Sequence, residues 1–143
     1  MQVRQISVFM ENRAGRLREI TATLAQAKIN LRALSLADTS DFGILRLIVD
    51  KPDTAVDILR KAGFTLRENT VIACVVEDRP GSLNEILDAL AQENISVEYM
   101  YGFIGKHEHE AVMIIRVEAT EKAISTLLEA GMTLLKGEQI YTM

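Results

Sequence analysis

The feature that most restricts the fold of this chain is an internal repeat. Shifted by 66 residues, Glu11-Asn12-Arg13-Ala14-Gly15-Arg16-Leu17-Arg18-Glu19-Ile20 overlies Glu77-Asp78-Arg79-Pro80-Gly81-Ser82-Leu83-Asn84-Glu85-Ile86, and Leu24-Ala25-Gln26 overlies Leu90-Ala91-Gln92. Further on the offset becomes 68, with Ala62-Gly63-Phe64-Thr65-Leu66 over Ala130-Gly131-Met132-Thr133-Leu134. The second copy therefore carries a two-residue insertion between these blocks, most simply in Gly105-Lys106-His107-Glu108-His109-Glu110. Self-similarity at a fixed period marks duplicated supersecondary units. We divide the chain into modules at 1–68 and 69–143, separated by Glu68-Asn69-Thr70 with no Pro/Gly/Ser linker, and expect the two to be docked closely. A module of about 70 residues without metal or disulfide has only a few kcal/mol of core, so each should lean on the other.

The order of periodicities within a copy predicts βαββαβ. Val3–Met10 alternates as a strand, Gly15–Ala27 places Leu17, Ile20, Leu24 and Ala27 at helical spacing, and Ile29–Ala37 is again extended. Ile44–Val49 is an apolar strand, Pro52 opens a helix through Ala62, and Gly63 closes it before a short strand over Phe64–Arg67. The second copy predicts strand Val71–Val76, helix Gly81–Gln92, strand Ile95–Phe103, strand Ala111–Val117, helix Glu121–Ala130 and strand Met132–Leu135. With right-handed crossovers, each copy makes a four-stranded antiparallel sheet with both helices on one face. The fold class expected is α+β, a duplicated ferredoxin-like βαββαβ sandwich. Ile44–Val49 and Val112–Ile115 are apolar at both parities, where a half-solvated strand alternates. A fully buried central strand explains much of this; homodimerisation would cover the face opposite the helices, and we expect it.

Composition excludes several classes. A formal net charge of −4 opposes a nucleic-acid backbone, and no apolar run nears the roughly 20 residues of a membrane-spanning helix. Met1-Gln2-Val3-Arg4-Gln5 runs directly into a strand pattern without the features of a signal peptide. The single Cys74 lies inside the apolar run Val71–Val76 and reads as a buried thiol in a reducing compartment, so a cytoplasmic location is expected.

The turns Asn12-Arg13-Ala14-Gly15-Arg16-Leu17 and Asp78-Arg79-Pro80-Gly81-Ser82-Leu83, each followed by an amphipathic helix and then Ile29-Asn30-Leu31 or Ile95-Ser96-Val97, resemble the ACT domain. The likeness covers essentially the whole chain twice and is nearest to small stand-alone proteins made of two ACT modules. In that family modules pair through sheet edges and bind effector amino acids at the interface near the first strand–helix turn. The resemblance implies a non-catalytic amino-acid-binding regulatory or sensor protein; a ligand-free regulatory subunit docking on a metabolic enzyme is the alternative, and a small ferredoxin-like enzyme ranks below both.

The same turns suit an amino acid on physical grounds. A helix N-terminus presents unpaired N–H groups and partial positive charge to a carboxylate, and glycine allows close approach. Asn12 and Asp78 can accept from an α-ammonium group, with charge assistance only from Asp78. Asn or Asp with Pro and Gly is also what an N-capped turn requires, so capping stands beside binding. A second stretch, Ser35-Leu36-Ala37-Asp38-Thr39-Ser40-Asp41-Phe42-Gly43, reads either as an Asx-type hairpin or, through Ser35, Leu36, Asp38 and Thr39, as a pocket wall against a neighbouring module. In the second copy Val97, Tyr99, Tyr101 and Phe103 share one parity, which suggests packing, although the Tyr101 hydroxyl can also meet a ligand. Divergence between the copies predicts two inequivalent pockets.

No catalytic set emerges. His107 and His109 form only a loop His-x-His, too few ligands to close a metal site. The glycines make neither a P-loop nor a dinucleotide fingerprint, and Glu19 and Glu85 read as solvated helix residues. No cofactor is expected.

Overall fold

The computed structural model describes residues 1–38, 41–103 and 110–143. Thr39 and Ser40, and the loop carrying His107 and His109, lie outside the described residues, as does the inferred insertion except for Glu110. The chain divides into two compact units. One contains Arg4–Asn69 with Thr142, the other Thr70–Tyr141 with Met1–Val3 and Met143.

In the first unit, strands β1 (Val3–Glu11), β2 (Leu31–Asp38), β3 (Phe42–Val49) and the start of β4 (Thr65–Glu77) are joined by helices α1 (Arg16–Gln26) and α2 (Pro52–Lys61). The strand order β2-β3-β1-β4 is that of a ferredoxin-like sheet. β3 is central, pairing antiparallel with β1 (Ile6 with Leu47, Val8 with Leu45) and β2 (Leu34 with Leu47, Leu36 with Leu45). Ile6, Val8, Met10, Leu45, Leu47 and Val49 project from one sheet face onto Ile20 and Leu24 of α1 and Ala55, Val56 and Leu59 of α2, forming one core. The helices pack because their apolar residues recur every three or four positions, while strand side chains alternate with period two.

The second unit repeats the plan. The end of β4, β5 (Val97–Phe103), β6 (Glu110–Val117) and β7 (Leu134–Leu135) take the order β7-β4-β6-β5 and carry α3 (Ser82–Gln92) and α4 (Thr120–Glu129). Ile72, Cys74, Val76, Ile115 and Val117 meet Ile86, Leu90, Ala123, Ile124 and Leu127 in its core.

The structure departs from the sequence reading at three places. The two strands expected on either side of Glu68-Asn69-Thr70 are one 13-residue strand, β4, because nothing in Thr65–Glu77 is a glycine or proline that would end it. The unit boundary falls inside that strand. The final strand is only two residues long, and a short helix, α5 (Gly137–Tyr141), follows it. Finally, exposure does not alternate along the central strands: Ile48, Ala73 and Ile114 point away from the helix-side cores yet are 0% exposed.

Candidate functional site

The repeated turns owe their shape to glycine. Gly15 and Gly81 are the N-caps of α1 and α3 with φ of 84° and 90°, in the left-handed region that L side chains avoid. A Cβ at either position would meet nothing within 4 Å, so backbone conformation, not crowding, demands glycine there.

The expected side-chain caps are absent from both helices. Asn12 and Asp78 stand three residues ahead of the N-cap glycines and make no capping bond. Backbone bonds close the turns instead: Arg16 N donates to Arg13 O at 3.3 Å and Glu19 N to Gly15 O at 3.0 Å, with Ser82 to Arg79 at 3.4 Å and Glu85 to Gly81 at 3.1 Å in the second copy. Residues 12–15 and 78–81 are exposed, and the first-turn amides beyond them have no side-chain partner, which leaves two open N-termini of the kind that accept an anionic group.

The repeated arginine has a role that the sequence reading missed. Arg79 donates through Nε to Glu77 at 2.7 Å and through its terminal nitrogen to both Glu85 oxygens at 2.9 Å, tying the strand end to the helix across the turn. The Glu77 hydrogen bond first, and that of Glu85 next, raise the Arg79 pKa above its ordinary value. Arg13 makes the looser equivalent, 3.4 Å to Glu11 and 3.7 Å to Glu19. Glu19 and Glu85 thus belong to a clamp; the signal available was that both recur at the same offset from a repeated Arg.

The second stretch comes partly together with the first turn. Asn12 Nδ2 donates to Asp38 Oδ1 at 3.1 Å, and Asn12 N to Asp41 O at 3.1 Å. Asn12 is thereby a donor to Asp38, and the free carboxylate oxygen capacity at this turn belongs to Asp38. Leu36 and Asp38 share one face of β2, whereas Ser35 lies on the other by strand alternation. Leu17 and Leu83 are half-buried. Tyr101 and Phe103, each 9% exposed, are packed on the face of β5 away from the helices.

Each module also has a cleft of its own between the end of its first strand, the N-terminus of its first helix and the turn after its second helix. In the first, of about 310 Å3, Arg16, Glu11, Phe42 and Thr65 are among the walls. The Arg16 guanidinium stacks 4.3 Å above the Phe64 ring and bonds Glu19 at 2.6 Å. In the second, of about 250 Å3, the wall includes Glu77, Arg79, Ser82, Glu85, Glu110 and Met132. Ser82 is 6% exposed and its Oγ is buried without a hydrogen-bond partner.

Elsewhere, Cys74 is fully buried and desolvation pushes its thiol up to about 11, the opposite of an activated nucleophile. Among the described residues no group of three or more His, Cys, Asp or Glu could hold a metal ion, and no helix is long and apolar enough to cross a membrane.

Two ferredoxin-like modules with matching glycine turns at their first helices define the chain as a duplicated α+β fold. The family model for the ACT domain pair matches residues 1–143, and the chain belongs to that family. Among solved structures it is similar to the protein BT0572 from Bacteroides thetaiotaomicron, at 38% identity over 100% of this chain and 98% of that one, with a TM-score of 0.94. The fold is also that of the regulatory subunit of aspartate kinase from Thermus thermophilus in its ligand-free form (16% identity, 89% and 91% covered, TM-score 0.63). It is shared by the aspartokinase alpha and beta subunits (17%, 91% and 92%, 0.60). No curated protein matches the chain.

Proposed function

We propose that this protein is a regulatory amino-acid sensor without catalytic activity, built from functional modules 1–68 and 69–143. The ligand is held by the strand–helix turn of one module against a strand of another. The observation that carries this reading is the pair of uncapped helix N-termini behind Gly15 and Gly81. An α-carboxylate there would complete hydrogen bonds that no side chain supplies, and the acidic Asp38 and Asp78 beside the turns are suited to the ammonium group. Membership of the ACT domain pair family and likeness to a regulatory subunit support a regulatory role over catalysis.

An effector acts only as far as it prefers one arrangement of the modules, and ligand at a module interface supplies that preference. Self-association through β2 fits the same scheme. β2 ends its strand order, and Leu34 and Leu36 on it are 44% and 48% exposed. An apolar edge strand is a template for pairing with another chain. A reducing cytoplasmic setting suits the buried Cys74 thiol.

Calorimetry or thermal-shift screening against the twenty amino acids tests the proposal. A saturable response to one or a few is expected. No response from any would favour the alternative, a ligand-free subunit whose surface docks on a metabolic enzyme.

A further inference from the structure

The strands that open the two modules are interchangeable on one face and not on the other. On the helix side, Ile6, Val8 and Met10 of β1 correspond in the repeat to Ile72, Cys74 and Val76 of β4, and none of these apolar side chains is more than 8% exposed. On the opposite face, the first module carries a buried polar chain. Gln5 Nε2 donates to Ser7 Oγ at 3.1 Å, and Ser7 Oγ donates to Asn69 Oδ1 at 2.7 Å, with Gln5 0% and Ser7 4% exposed. Each member of that chain changes in the second module, where the equivalents of Gln5, Ser7 and Asn69 are Val71, Ala73 and Gly137. The ladders agree with this equivalence, since Ser7 stands opposite Arg46 of β3 and Ala73 opposite Ile114 of β6. Val71 and Ala73 are fully buried.

We infer that the Gln5–Ser7–Asn69 chain is a discriminator between the two copies: it keeps β1 in the first module and out of the place that Val71–Val76 fills in the second. Modules this alike are liable to exchange equivalent strands between chains during folding, a characteristic failure of repeated domains. The helix-side faces offer little barrier, because Ile6, Val8 and Met10 suit either core in kind and size. The opposite faces do. In the second module's place the Gln5 amide and the Ser7 hydroxyl would be buried where Val71 and Ala73 now lie, and the position of Asn69 is held by Gly137, which has no side chain to accept from Ser7. A buried polar group without its partner costs its full desolvation, so exchange is penalised at two positions at once. In its own module the chain is satisfied link by link and that penalty is absent. The device needs no ligand and stands apart from the proposed function.

The test uses two forms of the full chain, both with Cys74→Ala, one carrying Met10→Cys and the other, isotopically labelled, Ala111→Cys. Met10 pairs with Gly43, and its equivalent Val76 pairs with Ala111, so β1 brings residue 10 against residue 111 of the other chain when it takes the place of Val71–Val76. The forms are unfolded in urea, mixed, refolded and oxidised, and the disulfide-linked pair of one light and one heavy chain is counted by mass spectrometry. With Gln5 and Ser7 in place, this species should stay at the level obtained by mixing chains that were never unfolded. Gln5→Val with Ser7→Ala in both forms should raise it about tenfold, the factor expected from removing one unsatisfied buried group from the exchanged state. Ser7→Ala alone, the milder change, should raise it about threefold and serves if the double variant does not fold. Leu90→Ala lowers stability without touching the polar chain and should leave the count unchanged. An equal rise in Leu90→Ala, or no rise in either β1 variant, would overturn the inference.

Discussion

Ser82→Ala should make the ligand-free protein more stable. Serine here is the first residue of α3, 6% exposed, and its hydroxyl has no partner, while the helix is capped by Gly81 and draws nothing from that side chain. Burying a hydroxyl without a hydrogen bond costs about 1–3 kcal/mol, and water entering an open cleft recovers part of that. Alanine also has the higher helix propensity, by about 0.5 kcal/mol. The two effects share a sign, and the net expectation is a gain of about 1 kcal/mol, or roughly 3 °C in Tm for a chain of this size. The assay is urea unfolding at pH 7, followed by both circular dichroism and a tertiary probe, because two compact units need not unfold together. An unchanged m-value with a raised midpoint assigns the gain to the folded state. A loss of 1 kcal/mol or more would show that the hydroxyl has a partner inside the protein.

Gly81→Ala should cost about 1–2 kcal/mol although its Cβ enters open space, because φ is 90°; an equal loss at Gly15, where φ is 84°, is expected, and no loss in urea unfolding would deny the left-handed turn. Leu90→Ala, at a fully buried position of α3, should cost about 2–5 kcal/mol by the same assay. Cys74 should resist thiol reagents at pH 8 until the protein unfolds. Since its thiol is raised from an ordinary 9.0 to about 11, the unfolded chain ionises first, and stability should fall between pH 9 and 11 by roughly 2–3 kcal/mol; Cys74→Ala should remove that slope. Leu36→Lys should lower the apparent mass in light scattering at high protein concentration if β2 pairs with a second copy, and an identical mass profile would discount that edge.

The repeat and the change of period within it were enough to specify two βαββαβ modules, because hydrophobic spacing fixes which face of each helix and strand is buried. Leu17, Ile20 and Leu24 at three- and four-residue intervals leave α1 one way to lie on its sheet, and the glycine at each turn marks a helix start by local backbone preference alone. Burial of Cys74 was legible for the same reason. What the spacing could not supply was anything that depends on groups distant in sequence meeting in space. Asn12 turned out to donate to Asp38 instead of capping a helix, and Glu19 and Glu85 turned out to hold an arginine across a turn. Burial of Ile48, Ala73 and Ile114 on the second face depends on tertiary packing, not on strand alternation. The exchange of Arg16 for Ser82 is visible in the aligned copies as a single letter. Only the tertiary structure shows what that letter changes, because the stacking of Arg16 on Phe64 and the buried, unpartnered hydroxyl of Ser82 arise from side chains that the fold alone brings within a few ångströms of one another.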